Sequence, residues 1–221
     1  MADSRLLFNK NVLERFLNET QTTDLKAAYI GVNNDDDPVF YDLFAAAMDQ
    51  IGIEEHMHIS ADFSERQQEF LAAADLILLS GGDTFRGWQI LQGTGISETV
   101  VKRYYQGSYL IGISAGAIQM GLYGLNEQNE PFQAMSLIPL IIDVHDEKND
   151  WAKLQEIHHY VDKNYLTAIG IPAGGGLLYH PGHELEAIEQ PLTEFRLANG
   201  NLSRQLIMPQ TRFTIKQEQT Q

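Results

Sequence analysis

A serine flanked by glycines lies near the middle of the chain, between one apolar run and a second run with helix-forming residues. The stretch Tyr109–Gly121 reads YLIGISAGAIQMG, an order typical of a strand, a sharp turn and a helix. A serine at the apex of such a turn has strained backbone and a projecting hydroxyl, and small neighbours such as Gly112 and Gly116 let strand and helix approach closely. The pattern predicts that Ser114 is a nucleophile, with a serine in an ordinary turn as the alternative.

A serine nucleophile also needs a base. The hydroxyl is weakly reactive unless another group takes its proton, and that group is normally a histidine held by an acid. Of the seven histidines, only His145 follows an apolar strand pattern, Leu137–Ile142, closely enough to reach the same sheet edge as Ser114. His145 is therefore the candidate base, and a solvent histidine in a polar loop is the alternative.

The oxyanion formed on an attacked carbonyl needs two backbone N–H donors. The residue after the nucleophile, here Ala115, usually supplies one of them. The second should come from a glycine-rich loop at a neighbouring strand end, because a missing side chain lets the carbonyl approach the backbone. Gly82 is the first candidate and Gly81 the second, since both follow a buried strand pattern. The other interpretation of this dipeptide is a plain strand-to-helix turn.

The amino-acid composition excludes some classes of function and argues against others for this chain. The 221 residues include 15 basic and 30 acidic ones, for a formal charge of −15, and no cysteine. Such a charge repels nucleic-acid phosphates and anionic membrane surfaces, and the lack of cysteine excludes disulfides and thiolate catalysis. The length suits a single domain over residues 1–221. Without a signal-peptide pattern or an apolar run near ~20 residues, the expected location is the cytoplasm.

Apolar runs alternate with helical patterns along most of the chain. Strands are predicted at Lys26–Val32, Ile53–Ile59, Asp75–Ser80, Tyr109–Ile113, Leu137–Ile142, Leu166–Ile171 and Gly175–Tyr179. Helices are predicted through Phe44 and Met48 and over Glu65–Ala74, Phe85–Leu91, Ile96–Gln106 and Trp151–Val161, with a short helical face at Val12, Phe16 and Leu17 after an abbreviated first strand. From Pro181 onward we expect an antiparallel edge or a terminal hairpin. The alternation predicts an α/β fold with a doubly wound, mostly parallel sheet flanked by helices, which binds ligands at the carboxyl ends of its strands.

Several polar groups could be read as metal sites. The acidic run Asp35–Asp37 lacks the ligand spacing, central glycine and closing glutamate of a calcium loop. His56 and His58 share a strand face but have no third ligand nearby in the sequence. The adjacent His158 and His159 would point to different faces of a helix, and His180 and His183 have only a turn between them. We therefore expect no metal and no other cofactor.

Three motifs occur in order along the chain: SGGDTF at Ser80–Phe85, GISAGA at Gly112–Ala117 and IPLIIDVH at Ile138–His145. Together they resemble the peptidase E (aspartyl dipeptidase) and cyanophycinase family of serine peptidases, over about Lys26 to Gly174. The resemblance implies a class I glutamine amidotransferase-like fold with the nucleophile elbow at the central strand. It also implies that a serine replaces the amidotransferase cysteine.

The resemblance assigns roles to individual residues. Ser114 looks like the nucleophile, His145 like the base, and Gly82 with Ala115 like the oxyanion donors. In peptidase E the acid lies in a short Asn-Asp-x-Pro stretch between serine and histidine, and the similar place here makes Glu130 the predicted acid.

Other carboxylates are alternatives to this acid. Glu127 is the alternate in the same segment. Asp143 and Asp146 are too near His145 in sequence to be first choices, although a loop could fold either one back.

This chain departs from the family pattern at two places. Peptidase E-like members have an arginine-rich helix after the histidine that is interpreted as binding a substrate carboxylate, whereas Asn149–Lys153 reads NDWAK. Only Lys153 could serve that role, and Asp150 has the opposite charge, so a neutral or basic substrate group becomes conceivable. Asp83 and Thr84 complete the predicted substrate-binding residues. The second departure is Ala173, where the family commonly has an acidic residue.

The leading hypothesis is a serine peptidase that cleaves a short peptide or isopeptide, such as a dipeptide or an aspartyl-linked peptide, through an acyl-enzyme on Ser114. Its partner would be a small peptide, not nucleic acid or membrane, and the enzyme would act as a monomer or homodimer. One alternative is hydrolysis of another small ester or amide by the same residues. Another is a non-catalytic or altered-specificity binding protein on the same fold.

Overall fold

A four-stranded parallel sheet forms the first half of the computed structural model, which describes residues 1–2, 4–9, 13, 24–157 and 165–210. Its strands are β1 (Lys26–Ile30), β2 (Glu55–Ile59), β3 (Leu76–Leu79) and β4 (Tyr109–Gly112), in the order β2-β1-β3-β4. All three pairings are parallel. The carboxyl ends of these strands therefore meet at one edge, as the sequence predicts.

Helices cover both faces of this sheet. They are α1 (Pro38–Gln50), α2 (Glu65–Ala73), α3 (Thr84–Thr94), α4 (Ile96–Tyr105) and α5 (Ala115–Met120). Helix α6 (Ala152–Ile157) packs instead on the second sheet, described below, and 3-10 turns lie at Ser4–Phe8, Val32–Asn34 and Glu147–Asn149. Alternate residues of β3 point to opposite faces: Ile77 and Leu79 pack with α2, α3 and α4, whereas Leu76 and Leu78 pack with α1. Burial on both faces explains the continuous apolar runs. The doubly wound parallel arrangement is thus confirmed.

A second sheet follows, with β7 (Ile141–Val144), β8 (Tyr165–Ile171), β11 (Leu192–Ala198) and β12 (Asn201–Ile207) in the order β12-β11-β8-β7. Strand β7 pairs with β8 in parallel, and the other two pairings are antiparallel. Two hairpins lie beside it, β5 (Tyr123–Leu125) with β6 (Pro131–Gln133), and β9 (Gly176–Tyr179) with β10 (Leu185–Ile188). The antiparallel region expected after Pro181 is confirmed.

Two sequence-based boundaries were wrong. The strand predicted at Leu137–Ile142 begins only at Ile141. Its first part is a bend that follows Ser136, whose φ is +54°, and Pro139 has no N–H to contribute to a strand ladder. The residues Leu6-Leu7-Phe8 form part of a 3-10 turn, not a strand.

Other predictions are only partly covered by the structure. The predicted helical face at Val12, Phe16 and Leu17 lies outside the described residues, as does the end of the helix predicted over Trp151–Val161. Among the residues that the structure describes, no helix is long and apolar enough to cross a membrane.

Candidate active site

Ser114 occupies a sharp turn between β4 and α5. Its φ of +48° and ψ of −107° lie in a region that residues with a side chain rarely adopt. Its N–H donates to the carbonyl oxygen of Met1 (3.0 Å), and its own carbonyl accepts from Ala117 (3.0 Å) and Ile118 (3.2 Å). The strained conformation is therefore held by hydrogen bonds on both sides, as a nucleophile elbow requires.

The glycines flanking Ser114 leave room for the turn. A Cβ on Gly112 would lie 2.6 Å from the backbone nitrogen of Ala117, and a Cβ on Gly116 would lie 2.6 Å from the Cβ of Leu79. Both distances are shorter than real Cβ contacts, so strand β3, strand β4 and helix α5 can approach this closely only with glycine at these positions. The structure thus explains the Gly-x-Ser-x-Gly spacing by packing.

The loop after β3 carries the predicted oxyanion donors. Gly82 has a φ of +138°, which only glycine adopts without strain, and a Cβ there would overlap the carbonyl of Asn33. Gly81 lies beside the nucleophile, since a Cβ built on it would be 3.4 Å from the Cβ of Ser114. The structure therefore brings the loop and the serine together.

Three amides at this point donate to no acceptor among the described residues. They belong to Gly81, Gly82 and Ala115. The neighbouring Asp83 N–H donates to Asn33 O (2.8 Å) and the Gly116 N–H to Ser80 O (3.1 Å). Free donors next to a strained serine are the arrangement that stabilises an oxyanion.

Asp83 has a structural task in this loop. Its carboxylate accepts from the N–H of Arg86 (3.0 Å) and so caps helix α3. A carboxylate at a helix N-terminus is favourable because it satisfies a free amide and faces the positive end of the helix dipole. The predicted substrate contact of Asp83 stays a prediction.

His145 follows β7 directly. Its backbone is left-handed, with a φ of +60°, and its N–H donates to Ile171 O (3.2 Å). Its side chain is exposed and makes no hydrogen bond or ion pair with any described residue, Ser114 included. The structure places His145 at the carboxyl end of its strand, as predicted, but does not join it to the serine.

The predicted acid lies in the hairpin between β5 and β6. One oxygen of Glu130 accepts from Asn126 Nδ2 (3.0 Å), and the Glu130 N–H donates to Asn126 Oδ1 (2.8 Å). Glu127 in the same loop is exposed. The structure does not bring either carboxylate into hydrogen-bond reach of His145.

Two buried carboxylates flank His145 instead. Asp143 and Asp146 are each 7% exposed, and one oxygen of each has no hydrogen-bond partner among the described residues. Burial raises the pKa of Asp143 to about 6, against the lowering effects of the Val144 amide and of Lys153. Asp146 accepts from Asn149 Nδ2 (2.8 Å) through its other oxygen. Sequence reasoning ranked both low, although their adjacency to His145 was the available signal.

A small cavity of about 70 Å³ is lined by three of the polar residues considered above. Thr84, Asp143 and Lys153 line it together with apolar side chains. Two of the four predicted substrate-binding residues, Thr84 and Lys153, therefore share one cavity. Asp150 does not line it, and its carboxylate instead accepts from Arg204 of β12.

The Ala173 position also has a carboxylate beside it. The Ala173 N–H donates to an oxygen of Glu147 (3.3 Å) from the turn that follows His145. A carboxylate therefore lies beside the backbone of residue 173, although it comes from another part of the chain.

The histidines considered as metal ligands have other partners. His56 contacts Tyr41 (3.0 Å) and Asp49 (3.4 Å), His58 lies 3.4 Å from Asp36, and His180 lies 3.3 Å from Glu186. In the described part of the chain, no three His, Asp or Glu side chains are grouped so that they could hold a metal ion. The dipeptide His158-His159 lies outside the described residues.

Comparison with known proteins agrees with the fold. The model of peptidase family S51 matches residues 6–187. A crystal structure of a peptidase from an acI-B1 Actinobacterium superposes with a TM-score of 0.67 at 16% identity, covering 92% of this chain and 94% of that one. A putative peptidase E protein from Listeria monocytogenes EGD-e gives a TM-score of 0.56 at 14% identity, with 93% and 96% covered. No curated protein sequence matches the chain. The family match extends over most of the sequence, and the chain therefore belongs to peptidase family S51.

Proposed function

We propose that this protein is a serine peptidase that hydrolyses a short peptide or isopeptide through an acyl-enzyme on Ser114. The observation that supports it most is the strained serine turn beside three amides that have no acceptor among the described residues, those of Gly81, Gly82 and Ala115. A serine in an ordinary turn needs neither the strain nor the free donors.

The reaction divides into two displacements. Ser114 Oγ attacks the substrate carbonyl carbon while His145 takes the hydroxyl proton, and the amides of Gly82 and Ala115 stabilise the oxyanion. The C–N bond then breaks, and His145 gives its proton to the departing amine. In the second half a water attacks the ester carbonyl, His145 takes its proton and returns it to Ser114 Oγ, and the carboxylic acid leaves.

The acid that orients His145 completes the proposed triad. Glu130 is the candidate from the family resemblance; one of its oxygens accepts from Asn126, and closing the triad requires its carboxylate to come within hydrogen-bond reach of His145. Asp143 and Asp146 are the rival acids, since they flank His145 and each has a buried oxygen without a described partner. Comparing Glu130→Gln, Asp143→Asn and Asp146→Asn separates them, because losing the orienting acid costs orders of magnitude in rate.

Thr84 and Lys153 are proposed to contact the substrate from the small cavity, and Asp83 and Asp150 from the exposed surface. A cavity of about 70 Å³ holds only a few non-hydrogen atoms, which favours a short substrate group at this place. The proposed partner is a small peptide, as the family resemblance implies, and the proposed enzyme acts as a monomer or homodimer.

The test is intact-mass spectrometry after treatment with a small fluorophosphonate, with Ser114→Ala as the control. We expect one adduct on the native protein and none on the variant. Dipeptides and β-linked aspartyl peptides would then be screened for hydrolysis. A folded native protein without an adduct would contradict the proposal and favour a binding protein on the same fold.

A further inference from the structure

Two buried amide side chains face each other beneath the oxyanion loop. Gln119 is fully buried and Asn33 is 3% exposed. Asn33 Nδ2 donates to Gln119 Oε1 (3.1 Å), and Gln119 Nε2 donates to Asn33 Oδ1 (2.8 Å). The pair thus joins the 3-10 turn after β1 to helix α5, whose N-cap residue is Ser114.

The remaining hydrogens of both amides go to the main chain of the loop. Asn33 Nδ2 donates to Ser80 O (2.6 Å), and Gln119 Nε2 donates to Thr84 O (2.9 Å). The Asn33 carbonyl accepts from the N–H of Asp83 (2.8 Å). The loop is therefore attached at its start, near its centre and at its end, while the amides of Gly81 and Gly82 donate to no acceptor in the described part of the chain.

The orientation of both amides is fixed by these partners. Carbonyl oxygens can only accept, so the nitrogen of each side chain must face Ser80 O or Thr84 O. Packing adds to this constraint, because a Cβ on Gly82 would overlap Asn33 O and one on Gly87 would overlap Asn33 Oδ1. The loop can therefore pack on Asn33 in only one position, and a shift of the Asn33 or Gln119 side chain would move the loop.

We infer that Asn33 and Gln119 are positioning residues that hold the free amides of the loop at the distance from Ser114 that oxyanion binding requires. This inference rests on the proposed function. Oxyanion donors act only when they point at the developing charge, and displacements of about 1 Å cost roughly 100-fold in rate. Gln119 transmits the constraint directly, because it lies in the short helix that Ser114 immediately precedes.

The test measures the rate at which the fluorophosphonate inactivates Ser114, separated into the limiting rate kinact and the half-saturating concentration KI. We expect Gln119→Met to lower kinact by roughly 10- to 100-fold with KI unchanged, because the donors to Thr84 O and Asn33 Oδ1 are lost. Gln119→Glu keeps the acceptor for Asn33 but loses the donors, so it should show the same direction of change. All rates are taken on protein shown to be folded by circular dichroism.

The matched control is Gln67→Met in α2. Gln67 Nε2 also makes two donated bonds, to His58 O (3.0 Å) and Ser60 Oγ (3.1 Å), away from the loop. It should lower the unfolding temperature without changing kinact. A native chain that does not react overturns both the proposed function and this inference. A reactive native chain whose folded Gln119 variants keep kinact within two-fold overturns the inference alone.

Discussion

The two halves of the proposed active site are built differently. Around Ser114, every element is attached to its neighbours: the turn by Met1, Ala117 and Ile118, and the loop of Gly81 and Gly82 by buried amides. His145 is attached only by its backbone, and its ring is exposed and without a described partner.

The difference corresponds to two physical tasks. Oxyanion donors must be in position before the reaction. Moving them into place during it would use up the free energy by which they stabilise the oxyanion. A base must turn between accepting a proton from the serine and giving it to the amine, and its bonds often shorten only in the substrate complex. The nucleophile side is therefore preorganised, whereas in the proposed mechanism the acid and the substrate would complete the histidine side.

The largest expected effect tests the histidine side. His145→Asn keeps a residue that tolerates the left-handed backbone but removes the base, so kinact should fall by about 10²- to 10⁴-fold. The free energy of unfolding should change by less than about 1 kcal/mol, because an exposed side chain without partners contributes little. Fluorophosphonate kinetics and urea unfolding measure the two quantities. A kinact within three-fold of the native value would show that His145 is not the base.

The nucleophile side should show the opposite pattern, with stability affected first. Gly116→Ala forces a methyl group against the Leu79 backbone and side chain, and we expect a loss of about 3 kcal/mol in the free energy of unfolding. Gly93→Ala is the matched control, because Gly93 is an exposed residue of α3 with nothing within 4 Å of its Cβ position. That control should gain about 0.5–1 kcal/mol from helix propensity. Equal stabilities of the two variants would contradict the close packing of α5 on β3.

The sequence predicted the nucleophile side better because its signal is local. The motif is only five residues long, from Gly112 through Ser114 to Gly116, and its spacing predicts a strand, a sharp turn and a helix. The Asn33–Gln119 pair was missed because its members are 86 residues apart, and no local pattern relates them. An isolated asparagine after a strand and a glutamine in a helix are ordinary residues until the fold brings them together.

The histidine side was harder for a different reason. The run Leu137–Ile142 is apolar enough for a strand, but Pro139 and the bend after Ser136 delay the strand to Ile141. The acid could not be chosen from sequence spacing, because two criteria favour different residues. The position of the acid in the family favours Glu130, whereas closeness to His145 along the chain favours Asp143. Side-chain contacts such as Glu147 with the Ala173 amide depend on loop geometry that no periodicity encodes.

A smaller effect is expected from the buried carboxylate of Asp143. Its pKa is raised from 3.8 to about 6 by burial, so the folded state binds its proton more tightly than the unfolded state does. The resulting penalty is absent below about pH 4, grows as the pH rises to about 6 and is constant above that. Asp143→Asn should therefore raise the free energy of unfolding at pH 7.5 by about 1–2 kcal/mol, and hardly at pH 4.

Urea unfolding of both proteins at the two pH values measures this difference. Asp62→Asn, at an exposed position, corrects for the general effect of removing one negative charge from an acidic protein. An Asp143→Asn gain that is the same at pH 4 and pH 7.5 would show that the carboxyl is not desolvated as the structure describes. Such a result would also weaken the comparison between the nucleophile side and the histidine side, because the histidine side would then lack a buried charge that lowers stability.

The smallest effect concerns Asp150, which the sequence predicts to contact the substrate and which is ion-paired with Arg204 in the structure. Both side chains are well exposed, at 69% and 45%, so water and salt screen the pair. A double-mutant cycle with Asp150→Asn and Arg204→Gln should give a coupling below about 0.5 kcal/mol in urea unfolding. Asn is suited to the left-handed backbone of Asp150, whose φ is +54°, so the substitution itself adds little strain.

The same variants separate the structural role of Asp150 from its predicted role. If Asp150 contacts the substrate, Asp150→Asn raises KM for peptides with a basic group and leaves kcat unchanged. Arg204→Gln frees the Asp150 carboxylate from its ion pair, so it lowers KM for the same peptides. We expect this opposite pair of shifts, each about two- to five-fold, because one exposed charge interaction contributes at most about 1 kcal/mol. Shifts in the same direction would assign Asp150 to holding β12 against the turn after His145. That turn would then be fixed from outside the site, and the histidine side would be less free than its few hydrogen bonds indicate.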